Sequence, residues 1–482
     1  MRIFAPLTCL AALAACTVGP DYDGPPKVAG GAVERGSFVR GGDIADAGRP
    51  ELMEWWSALG DPVLNGLIDD ALANSPDIAA AEAKIAQARA KIGGARAALF
   101  PSLSASALYA HAELPGSGIG QSSEADGSSA GTSTLNFYNV GANASWNPDL
   151  FGGSRRKLEA ARADYQKSGF DLADAQVQLT AQVAQNYVNL RDAQARDALN
   201  ARSIDLMRKS LVLTQARYDA GTATRLEVDR MEGDLRTMIA QAAPLEAQIA
   251  AYLDALAVLT GRVPGELDAV LEQPSPVPLP PANVSVGDPA ALIARRPDIR
   301  AAERALASAN ANIGVNKASL FPQISFTGIL GLGGTDPGDV LDPGNLSTIA
   351  LPMLSWSILD FGAGQARVRG AEAQADQARA QYRGTVLEAL QKAEDSLARF
   401  GATRKQLAAF LLAERAAQDA GTLNAARYKA GTATLIDQYG AERQAIAAAI
   451  STEKARTQLA VDYISVMMEL GLGWDGEDPG ES

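Results

Sequence analysis

Cys16 is the side chain in this sequence best placed for a covalent reaction. It ends Leu13-Ala14-Ala15-Cys16, directly after the apolar run Ile3 to Ala15 that follows Arg2. Small residues leading to a thiol at the end of such a run form an acylation signal: the thiol accepts diacylglycerol before cleavage frees the amine for a further chain. The run is too short to span a bilayer as a helix and has the dimensions of a signal-peptide core. An ordinary signal peptide with a chance cysteine is the plainer alternative. Several acyl chains, at about 0.8 kcal/mol per buried methylene, would hold the chain on a membrane durably.

Catalytic chemistry finds no footing elsewhere, and the sequence predicts no enzyme, no cofactor and no metal site. His111 is the only histidine and sits near the end of an alternating segment, with no second histidine or cysteine to share a metal. Both cysteines fall within the first 16 residues, so the body has no thiol nucleophile and no disulfide framework. Gly331-Leu332-Gly333-Gly334 lacks the following lysine and the helix that a phosphate loop requires. A formal charge of -13 leaves no basic face for nucleic acid.

The elements that position everything else come in two copies. Ala216 to Thr224 reads ARYDAGTAT and Ala426 to Thr434 reads ARYKAGTAT. Pro76-Asp77-Ile78 returns as Pro297-Asp298-Ile299, Leu99-Phe100-Pro101 as Leu320-Phe321-Pro322, and Trp146, Phe151-Gly152 and Gly261 as Trp356, Phe361-Gly362 and Gly471. The spacing between copies shortens between Pro101 and Trp146, which places an insertion in a loop there, within residues 115–134.

Only 6% of the chain is aromatic and alanine is abundant, which favours long, closely packed helices over a thick globular interior. Gly153 to Asp219 and Ala363 to Lys429 are proline-free stretches of 67 residues. Each would be about 100 Å long as one helix at 1.5 Å per residue. Leu158, Tyr165, Leu172 and Leu179 recur at heptad spacing, as in a coiled coil. Each long helix stops at Gly221 or Gly431, turns, and returns as a shorter helix; Leu459, Tyr463, Val466 and Leu470 form the apolar stripe of the second return.

Between the short and long helices the period changes to two. Leu103, Ala105, Ala107 and Tyr109 alternate with Ser102, Ser104, Ser106 and Leu108, and Val140, Ala142, Ala144 and Trp146 alternate with Asn139, Gly141, Asn143 and Ser145. Strands are predicted at about 102–112, 136–147, 323–331 and 346–357, with an irregularity or bulge at Pro352. The alternation fits a transmembrane barrel, and equally a soluble sandwich. Four strands per chain cannot close a barrel in lipid, where open edges are forbidden, so a barrel needs several chains. The expected organisation is a signal peptide at 1–15, a lipidated tether at 16–60, a first repeat at 61–261, a proline-rich linker at 262–292, a second repeat at 293–474 and a tail at 475–482.

The acylation signal followed by Thr17-Val18-Gly19-Pro20-Asp21-Tyr22, the paired Leu-Phe-Pro, the Phe-Gly openings of the long helices and the two Arg-Tyr-x-Ala-Gly-Thr turns resemble the TolC-like outer-membrane efflux factors, specifically the NodT type lipoproteins of RND efflux systems. The resemblance covers nearly the whole chain, from Cys16 to Trp474. It implies a mainly helical fold with a membrane β part: duplicated coiled-coil hairpins forming a periplasmic tunnel, and four strands per chain in a twelve-stranded barrel made by a homotrimer. It also implies outer-membrane lipid, a periplasmic adaptor and an inner-membrane RND pump as partners. Arg217, Tyr218, Gly221, Thr222, Arg427, Tyr428, Gly431 and Thr432 become the adaptor-contact tips; Asp437, Glu227, Tyr428 and Arg225 become gate residues, with three copies of Asp437 forming a carboxylate ring. Helix-start carboxylates that favour the helix dipole are the plainer reading of Asp437 and Glu227. Two positions depart from some relatives, Gly440 where a further acid stands and Ala433 where an arginine stands, so the gate network does not transfer whole.

Two functions from different classes follow. One is a passive exit duct of a tripartite efflux pump; the other is a structural periplasmic lipoprotein tether without channel activity.

Overall fold

The computed structural model describes residues 17–42, 45–46, 48, 53–115, 132–281 and 283–477. Cys16 and most of the 115–134 loop therefore lie outside the described residues. In chain order the principal elements are α1 (Pro62–Asn74), α2 (Pro76–Ala97), β1 (Ser102–Pro115), β2 (Thr132–Trp146), α3 (Gly153–Asp219), α4 (Arg225–Leu259), α5 (Pro289–Arg295), α6 (Pro297–Ala318), β3 (Gln323–Gly334), β4 (Leu346–Ser355), α7 (Ala363–Lys429) and α8 (Leu435–Glu469). The two long helices coincide with the two proline-free stretches. Two compact units result, and each gathers segments from both sequence repeats: Met1–Pro25, Ala86–Gln166 and Glu303–Ala380 form one, and Pro26–Ile85, Lys167–Ala302 and Gln381–Ser482 the other.

The first unit is built around a four-stranded antiparallel meander in the order β1-β2-β3-β4. Each Leu-Phe-Pro segment closes a helix with tight i→i+3 bonds, Phe100 N–H to Ala97 O and Phe321 N–H to Ala318 O. The proline that follows cannot extend the helix. The exposed leucine carbonyl then receives an indole: Trp146 Nε1 donates to Leu99 O at 3.2 Å and Trp356 Nε1 to Leu320 O at 3.1 Å. That bond accounts for the joint recurrence of Leu-Phe-Pro and Trp in both repeats. Pro352 makes no bulge; it stays in register opposite Phe326, on an edge strand, the place in a sheet where proline is tolerated.

The segment Thr17 to Tyr22 is fixed to this unit. Asn310 Nδ2 donates to Pro20 O at 3.1 Å, the Tyr22 hydroxyl to Glu303 at 2.6 Å, and buried Arg156 to Asp21 at 2.6 Å. Gly19, at φ +103°, lies so close to α6 that an added Cβ would meet Gly314 Cα at 2.5 Å. Glycine is required at both contact positions.

The second unit holds the main core. Trp55, Trp56, Leu64, Ile68, Tyr187, Leu256, Leu271, Leu292, Val386, Phe400 and Tyr463 are buried together there. Asp61 caps α1 through the Val63 and Leu64 amides, Pro62 occupies its first turn, and the Tyr187 hydroxyl donates to the other Asp61 oxygen at 2.6 Å. Arg191 and Gln194 of α3 hold the proline-rich linker by its carbonyls, at Leu271 and Gln273.

The paired Pro-Asp-Ile elbows press on the ends of the return helices. Gly261 follows α4 at φ +71° and packs on Asn74, where a Cβ would stand 2.3 Å from the carbonyl oxygen; Gly471 follows α8 at φ +68° and packs on Arg296. Arg296 is almost fully buried and binds both Asp298 oxygens, at 2.9 and 2.8 Å, and Glu469 through its carboxylate at 3.1 Å and its main-chain carbonyl. Burial, then nearby Asp298, push Asp174 up to about 6, against the opposing field of Arg296. A carboxyl raised in the folded state binds its proton more tightly there than when unfolded. Its contribution to stability is therefore largest below the unfolded value near 3.8 and falls as pH rises through about 6. Asp174→Asn is expected to stabilise the protein at pH 8 by about 1 to 2 kcal/mol, allowing for partial solvent access, and to flatten the pH dependence between 4 and 7. Thermal melts across that range check it; an unchanged slope refutes it.

Candidate functional site

The two nine-residue repeats form the turns α3–α4 and α7–α8, and their residues divide into a helix stop and a helix start. In the stop, Thr222 N–H donates to Arg217 O at 2.8 Å and Gly221 N–H to Tyr218 O at 2.9 Å; in the copy, Thr432 N–H reaches Arg427 O at 2.9 Å and Gly431 N–H reaches Tyr428 O at 2.9 Å. This is the Schellman arrangement, with glycine in the left-handed position at φ +74° and +72°. The threonine hydroxyls add a second bond to the same arginine carbonyls, at 3.0 and 3.1 Å. The side chains of Arg217, Tyr218, Arg427 and Tyr428 are exposed, and Arg217 also closes its own turn by donating from Nη2 to Thr222 O at 3.3 Å.

In the start, Thr224 and Thr434 cap α4 and α8 in reciprocal boxes. Thr224 N–H donates to Glu227 at 2.6 Å, and Thr434 donates to Asp437 through its N–H at 2.9 Å and its hydroxyl at 2.7 Å. The Thr434 hydroxyl and amide hold Asp437 below the usual carboxylate range, with smaller contributions from Arg427 and Arg217. The Thr224 amide does the same for Glu227, again with help from Arg217. Arg217 of one turn thus acts on carboxylates of both turns. Arg225 points elsewhere: its Nε donates to Asp229 at 2.9 Å, one turn along its own helix, not to Glu227 or Asp437. The capping threonines, Thr224 and Thr434, were missed as site residues, although Thr-x-x-Glu and Thr-x-x-Asp spell the capping box in the sequence.

The sheet of the first unit has two unlike faces, set by its register. Leu103, Ala105, Ala107 and Tyr109 lie beside Ala144, Ala142, Val140 and Tyr138, and these beside Gly328, Leu330, Leu332 and Gly334. Leu103 is 77% exposed and Val140 49%, an open apolar surface a soluble sheet would cover. Among the described residues no second sheet packs on it. Aromatic pairs bound the face at both ends, Tyr109 with Tyr138 at 4.8 Å and Trp146 with Phe326 at 5.9 Å. Tyr138 and Trp146 are separated by about 27 Å of strand at 3.4 Å per residue. At a 40° tilt that is roughly 21 Å, close to the roughly 25 Å apolar band of outer-membrane barrels. The opposite face carries Ser102, Ser104, Ser106, Ser145 and Asn143, bonded among themselves, as where Asn143 Nδ2 donates to Ser106 Oγ at 2.8 Å, and continues toward the hairpin end with Leu108, Phe137 and Leu135.

A girdled apolar face, a reverse face with a serine and asparagine patch, and long helical hairpins define the class: a membrane channel protein with a β wall and coiled-coil helices. Residues 67–262 and 289–472 match the family model described as Outer membrane efflux protein, and the chain belongs to that family. It is 30% identical to Outer membrane protein OprJ of Pseudomonas aeruginosa over 96% of this chain and 94% of that one. It is 28% identical to Nodulation protein T of Rhizobium leguminosarum bv. trifolii over 96% of each. Among solved structures it superposes on the outer-membrane channel OprN with a TM-score of 0.83 at 31% identity, covering 95% of this chain and 100% of that one. The open-state MtrE outer membrane channel of Neisseria gonorrhoeae gives 0.75 at 27% identity, covering 95% and 98%. The protein is a TolC-like outer-membrane efflux channel whose helices extend into the periplasm.

Proposed function

We propose that three copies of this chain close one twelve-stranded barrel and serve as the exit duct of a tripartite RND-type efflux pump. The observation that carries the reading is the sheet: β1 and β4 are open edges on a wall with an apolar outer face, and an open edge is not tolerated in lipid. Neighbouring copies satisfy β1 with β4. An adaptor docks on the exposed Arg-Tyr side chains of the two turns and opens the duct, while an inner-membrane pump supplies the energy. Acylation of Cys16 anchors the chain to the outer membrane. Asp437, set at a helix start beside the arginines of both turns, forms the periplasmic gate ring with Glu227.

Single-channel recording tests this, comparing wild type with Asp437→Ala and Asp437→Asn. Both substitutions remove the charge, but asparagine keeps an oxygen for the Thr434 amide, so it preserves the half of the capping box that alanine loses. Both variants are expected to lose cation selectivity and to raise conductance on the order of twofold. A change in alanine alone would make Asp437 a cap and move the gate elsewhere. Folded protein that forms no channel would favour the tether.

A further inference from the structure

We infer that Phe361 of each copy stacks on Phe100 of the next, beside a ladder in which Ser355 of β4 stands opposite Ser106 of the neighbouring β1. The inference rests on the three-copy reading and supplies the residues that join one copy to another at the foot of the wall.

The two hairpins of the sheet obey the spacings of the duplication. Ser102 faces Ser145 in the first; Gln323, 221 positions after Ser102, faces Ser355, 210 positions after Ser145, in the second. The end of the first repeat meets the start of the second inside the chain, at the β2–β3 joint. There Ser145 pairs with Thr327, Ala144 with Gly328, and Phe151 stacks on Phe321 with ring centres 4.7 Å apart. The end of the second repeat has no such partner, because β4 and β1 are opposite edges of the sheet. Carried across by the same two spacings, the joint sets Ser355 opposite Ser106, Leu354 opposite Ala107, and Phe361 on Phe100 of a second copy. Every side chain keeps its face: Ser355 and Ser106 both lie on the serine and asparagine side, Leu354 and Ala107 on the girdled side.

Exposure marks the same two rings as unfinished. Phe361 is 93% exposed and Phe100 61%, against 39% for Phe321 in the completed stack. Phe361 also has a left-handed backbone at φ +52°, uncommon for a bulky residue. Asp360 anchors that loop by accepting from the Gly362 and Gly364 amides at 3.0 and 2.6 Å. A bare ring on an anchored, strained turn is a contact awaiting its other half. The boundary also differs in chemistry from the internal joint. Asp149 pairs with Arg155 and Arg156 with Glu159 inside the chain, but the matching positions are Leu359, Gln365, Ala366 and Arg369. Without those ion pairs, ring stacking carries a larger share of the contact between copies.

Native cysteines are confined to positions 9 and 16, so engineered pairs in the full-length chain report cleanly. Within one chain Ser106 and Ser355 are three strand spacings apart, about 14 Å, too far for a disulfide. Oxidation of Ser106→Cys/Ser355→Cys in outer membranes is therefore expected to give covalent dimers and trimers on non-reducing denaturing gels, and each single variant neither. Ser104→Cys/Ser355→Cys is expected to link at least about fivefold less, since diagonal neighbours stand about 7–8 Å apart. Phe361→Ala and Phe100→Ala are each expected to lower the temperature at which the trimer dissociates in detergent by roughly 5 °C or more. The double variant should shift it no further than the larger single change, because both remove one contact. Phe361→Leu, which keeps bulk without a ring, gives a smaller shift and serves if the alanine variants do not assemble. Stronger linking of the out-of-register pair, additive shifts, or no shift overturns the inference. So does wild-type conductance without covalent linking of the 106–355 pair, whereas a wild type with neither trimer nor conductance refutes the exit-duct reading instead.

Discussion

Arg296→Ala should leave little assembled protein in the membrane, and what is purified should melt far below wild type. The guanidinium is almost fully buried, holds both oxygens of Asp298, and reaches the carboxylate and the carbonyl of Glu469 at the end of α8. Alanine deletes one cation and leaves two carboxylates facing each other, and Asp174, already raised by burial and by Asp298, loses the opposing field of Arg296. Removing one partner of a buried ion pair costs about 3–5 kcal/mol. Asp298 keeps some contact with water, which favours the lower figure, yet even about 3 kcal/mol is a large part of a usual stability of 5–15 kcal/mol. Arg296→Lys should rescue little, because an ammonium cannot match the two-pronged contact with Asp298 and also reach Glu469. Arg225→Ala, which removes only an exposed pair with Asp229, should stay within about 0.5 kcal/mol. Thermal unfolding followed by circular dichroism, with trimer yield from membranes, decides it; a shift under about 2 °C for Arg296→Ala would show that the cluster contributes no net stability.

The contrast between these two arginines marks where sequence reading ends. Periodicity, proline spacing and the duplication are local signals, and they were enough for the long helices, the alternating strands and the family resemblance. The glycines of the two turns were legible for the same reason: a helix stop is decided within six residues. Arg296 was not. Its partner Glu469 lies 173 positions away, and nothing in Arg295-Arg296-Pro297-Asp298 says that the second arginine turns inward. Arg225, expected among the gate residues, pairs within this chain with Asp229, the partner that i to i+4 geometry on a helix favours and that the family pattern does not single out. Pro352 suggested a bulge because sequence cannot tell an edge strand from a central one.

Substituting valine at both Gly221 and Gly431 should abolish export while leaving the barrel intact. Each glycine occupies the left-handed region, at φ +74° and +72°, and a Cβ at either would find open space within 4 Å. The penalty is therefore conformational and not steric contact with neighbours. For a β-branched residue it exceeds the roughly 1–2 kcal/mol that an ordinary residue meets there. The turn can relieve it only by giving up the Thr222 to Arg217 and Thr432 to Arg427 bonds, which orient the exposed Arg-Tyr pairs. The capping boxes at Thr224 and Thr434 then lose their fixed approach, and with them the placement of Glu227 and Asp437. Export should fall at least about tenfold, the factor that 1.4 kcal/mol produces in an equilibrium, if each turn must be formed for the adaptor to bind. Asparagine at the same two positions tolerates the left-handed region and should keep most activity. The valine and asparagine variants are compared by drug susceptibility, by adaptor pull-down and by trimer content. Loss of trimer in the valine variant would reassign the turns to assembly, and equal activity of the two variants would show that the turn conformation does not matter for docking.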